Sequence, residues 1–157
     1  MKVVSDSSPL IALAKIGSLD ILRYDVVIPK AVFFEITIPR KEYMKDLYQW
    51  GENKIVEVKN RTAVEYLELV IGGGEAETIV LAEEINADAV LIDDLKARKI
   101  AMLRGLNIIG TIGVLLDAKE RGDVGELKLV LDMLIKQKIR ISKELYDHVL
   151  ELAGEKE

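Results

Sequence analysis

The chain has 157 residues, half of them hydrophobic and 31% charged, with a formal net charge of −5. That length fits one domain with a proper core, and that balance belongs to a globule rather than a disordered chain. With no cysteine and a single histidine, His148, a disulfide framework, a zinc ribbon, a thiol nucleophile and a Ser-His-Asp triad fall away.

Chemistry is therefore left to carboxylates, hydroxyls, lysines and backbone groups. No apolar run approaches the roughly 20 residues needed to span a bilayer. Lys2 is followed by Asp6 and Pro9 before any long apolar stretch, which does not read as a signal peptide. A cytoplasmic protein without a membrane partner is the expectation. The acidic balance argues against a generic polyanion binder, unless part of it is a cluster awaiting divalent cations.

In chain order, "KVVSD" (2–6) predicts a buried strand. Ser8 then caps a helix over 9–16 with Pro9 at its first position, ended by Gly17. "VVIP" (26–29) is a second short strand. "KAVFFEIT" (30–37) is a helix stopped by Pro39, and "KEYMKDLYQW" (41–50) another helix. "KIVEVK" (54–59) alternates like a strand with one wet face. A helix over 62–71 breaks at Gly72, Gly73 and Gly74, and a strongly periodic helix follows over 75–85.

"ADAVLID" (87–93) is the most strand-like segment, followed by the helix "LKARKIAMLRG", the short strand "LNIIG" (106–110) and the helix "TIGVLLDAKERG". The remainder, about 126–153, is a helical extension in which Ser142 caps the last helix; it either packs on the domain or builds a dimer surface. Short apolar runs alternating with helices indicate βαβ units. The fold class is α/β, a single domain over 1–157 with a central parallel sheet flanked by helices.

In such sheets ligands gather beyond the carboxyl ends of the strands. Asp6 and the pair Asp93–Asp94 stand at two such ends. Glu75 opens a helix, where dipole and free N–H groups favour an anion. Glu35 lies inside "AVFFEITI", where a carboxylate either snorkels out or faces something positive, because burying it unpaired costs several kcal/mol. Each acid also has an ordinary reading: capping for Asp6 and Asp94, a first-turn dipole partner for Glu75, a solvated face for Glu77. Gly72–Gly74 lack the lysine and hydroxyl of a P-loop, and His148 reads as surface. Jointly, the acids suit the hard-ligand chemistry of Mg²⁺ or Mn²⁺.

The ordered set "VVSDSSPLIALAK", "IPKAVFFEI", "GGGEAETIVLA", "VLIDDLKARKIA" and "IIGTIGVLLDAK" resembles the PIN domain, in particular the compact prokaryotic branch near the VapC-type toxins, over about residues 2–153. The resemblance implies an acidic pocket that binds Mg²⁺ or Mn²⁺ and cuts RNA phosphodiesters. Carried over, Asp6, Glu35, Glu75 and Asp94 are the catalytic acids; Asp6, Glu75 and Asp94 hold metal, with Glu77 competing for the third place and Asp93 for the fourth. Ser7 and Ser8 stand beside the first acid where relatives carry Thr and Asn or Ser. Lys96 and Arg98, with Lys99, could guide the phosphate backbone or merely be solvated. Two departures concern the ligand set: the third acid is Glu rather than Asp, and Ile92 replaces a frequent Thr. RNA is the implied partner and a homodimer the implied assembly, and a toxin role with a small antitoxin protein stays open. The alternative is a PIN fold that docks RNA or protein without cutting.

Overall fold

The computed structural model describes residues 1–38 and 41–156. Strands β1 (Lys2–Ser5), β2 (Asp25–Val27), β3 (Ala89–Leu91) and β4 (Ile108–Ile109) form one sheet in the order β2-β1-β3-β4, and every pairing is parallel. Parallel neighbours require crossovers, and helices supply them. Helix α1 (Ser7–Lys15) leads from β1 to β2. Helices α2 (Lys30–Thr37), α3 (Met44–Gly51), α4 (Arg61–Glu68) and α5 (Gly73–Glu84) lead to β3, and α6 (Leu95–Leu103) leads to β4. Helices α7 (Thr111–Arg121), α8 (Leu127–Lys136) and α9 (Lys143–Leu152) complete the described chain.

The register sets Val3 beside Val26 and Ala89, and Val4 beside Val27 and Val90. Successive side chains point to opposite faces. Val3, Ala89 and Leu91 thus enter one core with Leu13, Val114, Leu131 and Val149. Val4, Val90 and Ile92 enter another with Val64, Ile79, Leu81 and Ala101. With both faces covered, residues 87–93 read as one apolar run rather than an alternation. Leu127, Leu131, Leu134, Val149 and Leu150 all lie in the first core, so the C-terminal helices pack on the sheet side of the protein.

Several elements differ from expectation. Residues 54–59 form no sheet strand; one parallel bridge joins Ile55 to Ile28, with Val58 buried and Ile55 exposed. Its alternation comes from lying half-covered beside β2 rather than from a ladder. Helix α1 begins at Ser7, so the cap position is Asp6, not Ser8. Pro9 is its third residue, still within the first turn, whose N–H groups have no intrahelical acceptor. Helix α5 starts at Gly73, inside the glycine run, with Gly72 at its cap. Ser142 does cap α9, accepting from the Leu145 N–H at 3.1 Å. Pro39, the expected stop of α2, lies outside the described residues.

Among the described residues no helix is long and apolar enough to cross a membrane. Strand order positions the site. The chain leaves β1 for β2 on one side, then returns to place β3 and β4 on the other. The direction of winding reverses between β1 and β3, and the crevice beyond their carboxyl ends is where such sheets bind ligands.

Candidate active site

Asp6 follows β1, and its N–H donates to the Leu91 carbonyl at 2.9 Å, which ties the end of β1 to the end of β3. It occupies the cap position of α1 in extended conformation, yet its side chain makes no capping bond. The ordinary use of an aspartate here is therefore not made of this carboxylate. Asp6 is 2% exposed. Burial pushes its pKa from the usual 3.8 to about 7; the Ser7 N–H pulls the other way, and the charges of Glu75 and Glu35 push it up further.

Glu35 is exposed, the outward-reaching alternative of the two its apolar flanks left open. Helix α2 buries Val32 and Ile36 and turns positions 34 and 35 outward. Among the described residues no cation holds its carboxylate. The Ser7 hydroxyl donates to Oε2 at 2.5 Å, and the Gly74 N–H donates to Oε1 at 3.1 Å. Ser7 Oγ also lies 3.4 Å from Asp6 Oδ1, so one buried hydroxyl stands between the two acids.

Glu75 lies in the first turn of α5, half-buried. Burial raises its pKa, the charges of Asp94 and Glu35 raise it further, and the Gly72 N–H lowers it. Asp94 is exposed at the cap of α6, where Oδ2 accepts from the Ala97 N–H at 2.9 Å. Its capping reading is realised, and its charge reaches Glu75 as well. Four acids from β1, α2, α5 and the β3–α6 junction thus influence one another in the crevice.

Two further candidates are committed elsewhere. Asp93 accepts from the Thr111 N–H at 2.7 Å through Oδ1 and from the Thr111 hydroxyl at 2.5 Å through Oδ2, spending both oxygens on the start of α7. Thr111 was not foreseen, although "GTIG" after β4 places a hydroxyl at a strand–helix junction as "SDSS" does after β1. Glu77 is buried, accepts from the Ala31 N–H at 3.2 Å and pairs with Arg61 at 3.1 Å. It braces α5 against α2 and α4 rather than joining Glu75.

Of the expected substrate contacts, Ser7 belongs to the site, while Ser8 and Lys96 are exposed beside it. Arg98 bends back, its Nη1 donating to the Ile92 carbonyl at 3.2 Å. An apolar groove of about 740 Å³ runs alongside, carrying Asp93, Leu95, Arg98 and Thr111 but none of the four acids. The four acids thus lie outside that groove.

A family model described as a PIN domain matches residues 2–155. The chain belongs to the PIN-domain family. No curated protein and no solved structure matches it. PIN domains are generally nucleases and typically use divalent metals, and this PIN domain carries the nuclease-type fold. Its donor set fits such an ion: Asp6, Glu35, Glu75 and Asp94 offer hard oxygens, and their charges oppose one another when unneutralised. Among the described residues no three acids stand close enough to hold an ion as they are. Mg²⁺ usually takes only one or two carboxylates and keeps several waters, which suits a crevice of spaced acids.

Proposed function

We propose that this PIN domain is a Mg²⁺- or Mn²⁺-dependent endoribonuclease that hydrolyses RNA phosphodiester bonds. One observation carries the reading: a buried hydroxyl, Ser7, links Asp6 to Glu35, and Glu35 in turn reaches the first turn of the helix that bears Glu75. Three elements distant in sequence spend their polar groups on gathering carboxylates at the reversal of the sheet. A structural cap needs none of this.

In this reading Asp6, Glu75 and Asp94 hold one or two cations, directly or through water, and Glu35 joins them as a ligand or orients the attacking water. A bound cation supplies a water of lowered pKa and offsets charge on the scissile phosphate. Exposed Lys96 meets the RNA backbone beside the crevice. Attack by water in line with the 3′ oxygen, breaking the P–O3′ bond, leaves a 5′-phosphate and a 3′-hydroxyl.

A second reading, a binding module without turnover, is favoured by the spacing of the acids and by the use of Asp94 as a cap. RNA anisotropy in chelator, Ca²⁺ and Mg²⁺ beside a cleavage gel separates the two. The nuclease binds weakly in chelator, better in Ca²⁺, and cuts in Mg²⁺ or Mn²⁺. Tight binding in chelator that falls steeply with salt, without cleavage in either metal, sinks the nuclease reading. A role as the toxin of a toxin–antitoxin pair extends the proposal; a reading frame for a short DNA-binding protein directly upstream is its first test.

A further inference from the structure

Gly74 is the second residue of α5 and is buried. Alanine is the better helix former at such a position, and the backbone at Gly74 is ordinary helix with no need of glycine's freedom. The reason for glycine lies across the crevice. A Cβ built here would stand 2.5 Å from Glu35 Oε1, 2.6 Å from Oε2 and 2.8 Å from Cδ. These three nearest atoms are all the far end of one flexible side chain.

We propose that Gly74 is a positioning residue: the space left by its missing side chain is the seat of the Glu35 carboxylate. Ser7 clamps one oxygen of that carboxylate, the Gly74 N–H takes the other, and together they set Glu35 beside Asp6 and Glu75. The helix backbone accepts an alanine at position 74. The carboxylate cannot stay where it is. Gly74→Ala therefore acts on Glu35 and leaves the fold alone.

The part of this inference that concerns cations rests on the nuclease reading, so the test has two arms. In the first, Gly74→Ala, Glu35→Gln and the double variant are compared with the parent by thermal melting and by calorimetric titration with Mn²⁺. Gly74→Ala melts at or above the parent and binds Mn²⁺ about tenfold more weakly, the scale of losing a group that orients a metal ligand. Glu35→Gln weakens binding comparably, and the double variant is no weaker than Glu35→Gln alone, because both changes remove one carboxylate. Failure of Gly74→Ala to fold, unchanged Mn²⁺ affinity, or losses that add in full would each overturn the proposal. The second arm is a crystal structure of metal-free Gly74→Ala. The Glu35 carboxylate leaves Ser7 in it, and a carboxylate still within hydrogen-bond reach of Ser7 overturns the seat. If the parent takes up no Mn²⁺, the cation reading fails while this second arm still decides the role of Gly74.

Discussion

The charge of Glu75, on α5, raises the proton affinity of Asp6, at the end of β1, on top of the larger effect of burying Asp6. Two acids from elements far apart in sequence thus oppose each other's ionisation across the crevice. The fold keeps them together despite that cost, and the cost is measurable.

Folded Asp6 titrates at about 7 and an unfolded aspartate at 3.8. Between those values the folded state binds the extra proton, so stability is greatest at low pH and falls as pH rises through the folded pKa. Asp6 alone accounts for a decline on the order of 3 kcal/mol between pH 4 and pH 8. Asp6→Asn removes that decline and is the more stable protein at pH 8. Urea unfolding of both proteins across this range, without divalent cations, is the check. Parallel stability curves would show that Asp6 ionises without strain.

Asp94 carries two jobs that substitution separates. Asparagine preserves an N-cap acceptor and removes the charge, whereas alanine removes both. Asp94→Asn is expected to keep the parent's stability and to lose Mg²⁺- or Mn²⁺-dependent RNA cleavage, as Asp6→Asn does. Asp94→Ala loses cleavage and about 1 kcal/mol of stability besides. Full cleavage by the folded asparagine variant, with folding verified by circular dichroism, removes Asp94 from the proposed site.

Glu77 separates bracing from chemistry. Its carboxylate is the acceptor for the Ala31 N–H and the partner of Arg61, so Glu77→Ala strands a donor at the start of α2. The expected cost is about 1–3 kcal/mol, read by urea unfolding, with Mn²⁺ affinity unchanged at a temperature where the variant is folded. A stable variant with weakened Mn²⁺ binding would instead return Glu77 to the ligand set.

Strand ends and acids were legible in the sequence because both rest on local pattern. "VVS" and "AVLI" are apolar runs covered on both faces, and the acids that follow them mark the sheet's carboxyl edge. The partners of Glu35, Glu77 and Asp93 were not legible, since they lie 28, 46 and 18 residues away. No local spacing says that Ser7 will find Glu35, or that Thr111 will take both oxygens of Asp93. The glycine run misled for a related reason: glycine usually signals a break, and here Gly74 answers to a side chain from α2. Residues 54–59 have the right period for a strand but meet the sheet at one bridge only.

The last prediction concerns assembly. In α9, Leu145, Val149 and Leu152 fall at i, i+4, i+7 spacing on one stripe. Only Val149 is buried, beside Leu150, whereas Leu145 is 40% and Leu152 60% exposed. Residues 149 and 150 meet the core, and the two leucines, seven residues apart, fall together on one flank of the helix. We propose that a second copy of the chain covers them; both leucines are already partly covered, so burying the rest contributes roughly 1.5–3 kcal/mol per face. Light scattering at micromolar concentration is expected to give a dimer for the parent and a monomer for Leu145→Glu/Leu152→Glu, with melting followed to confirm folding. A monomeric parent ends the proposal, and a variant that remains dimeric moves the interface away from α9.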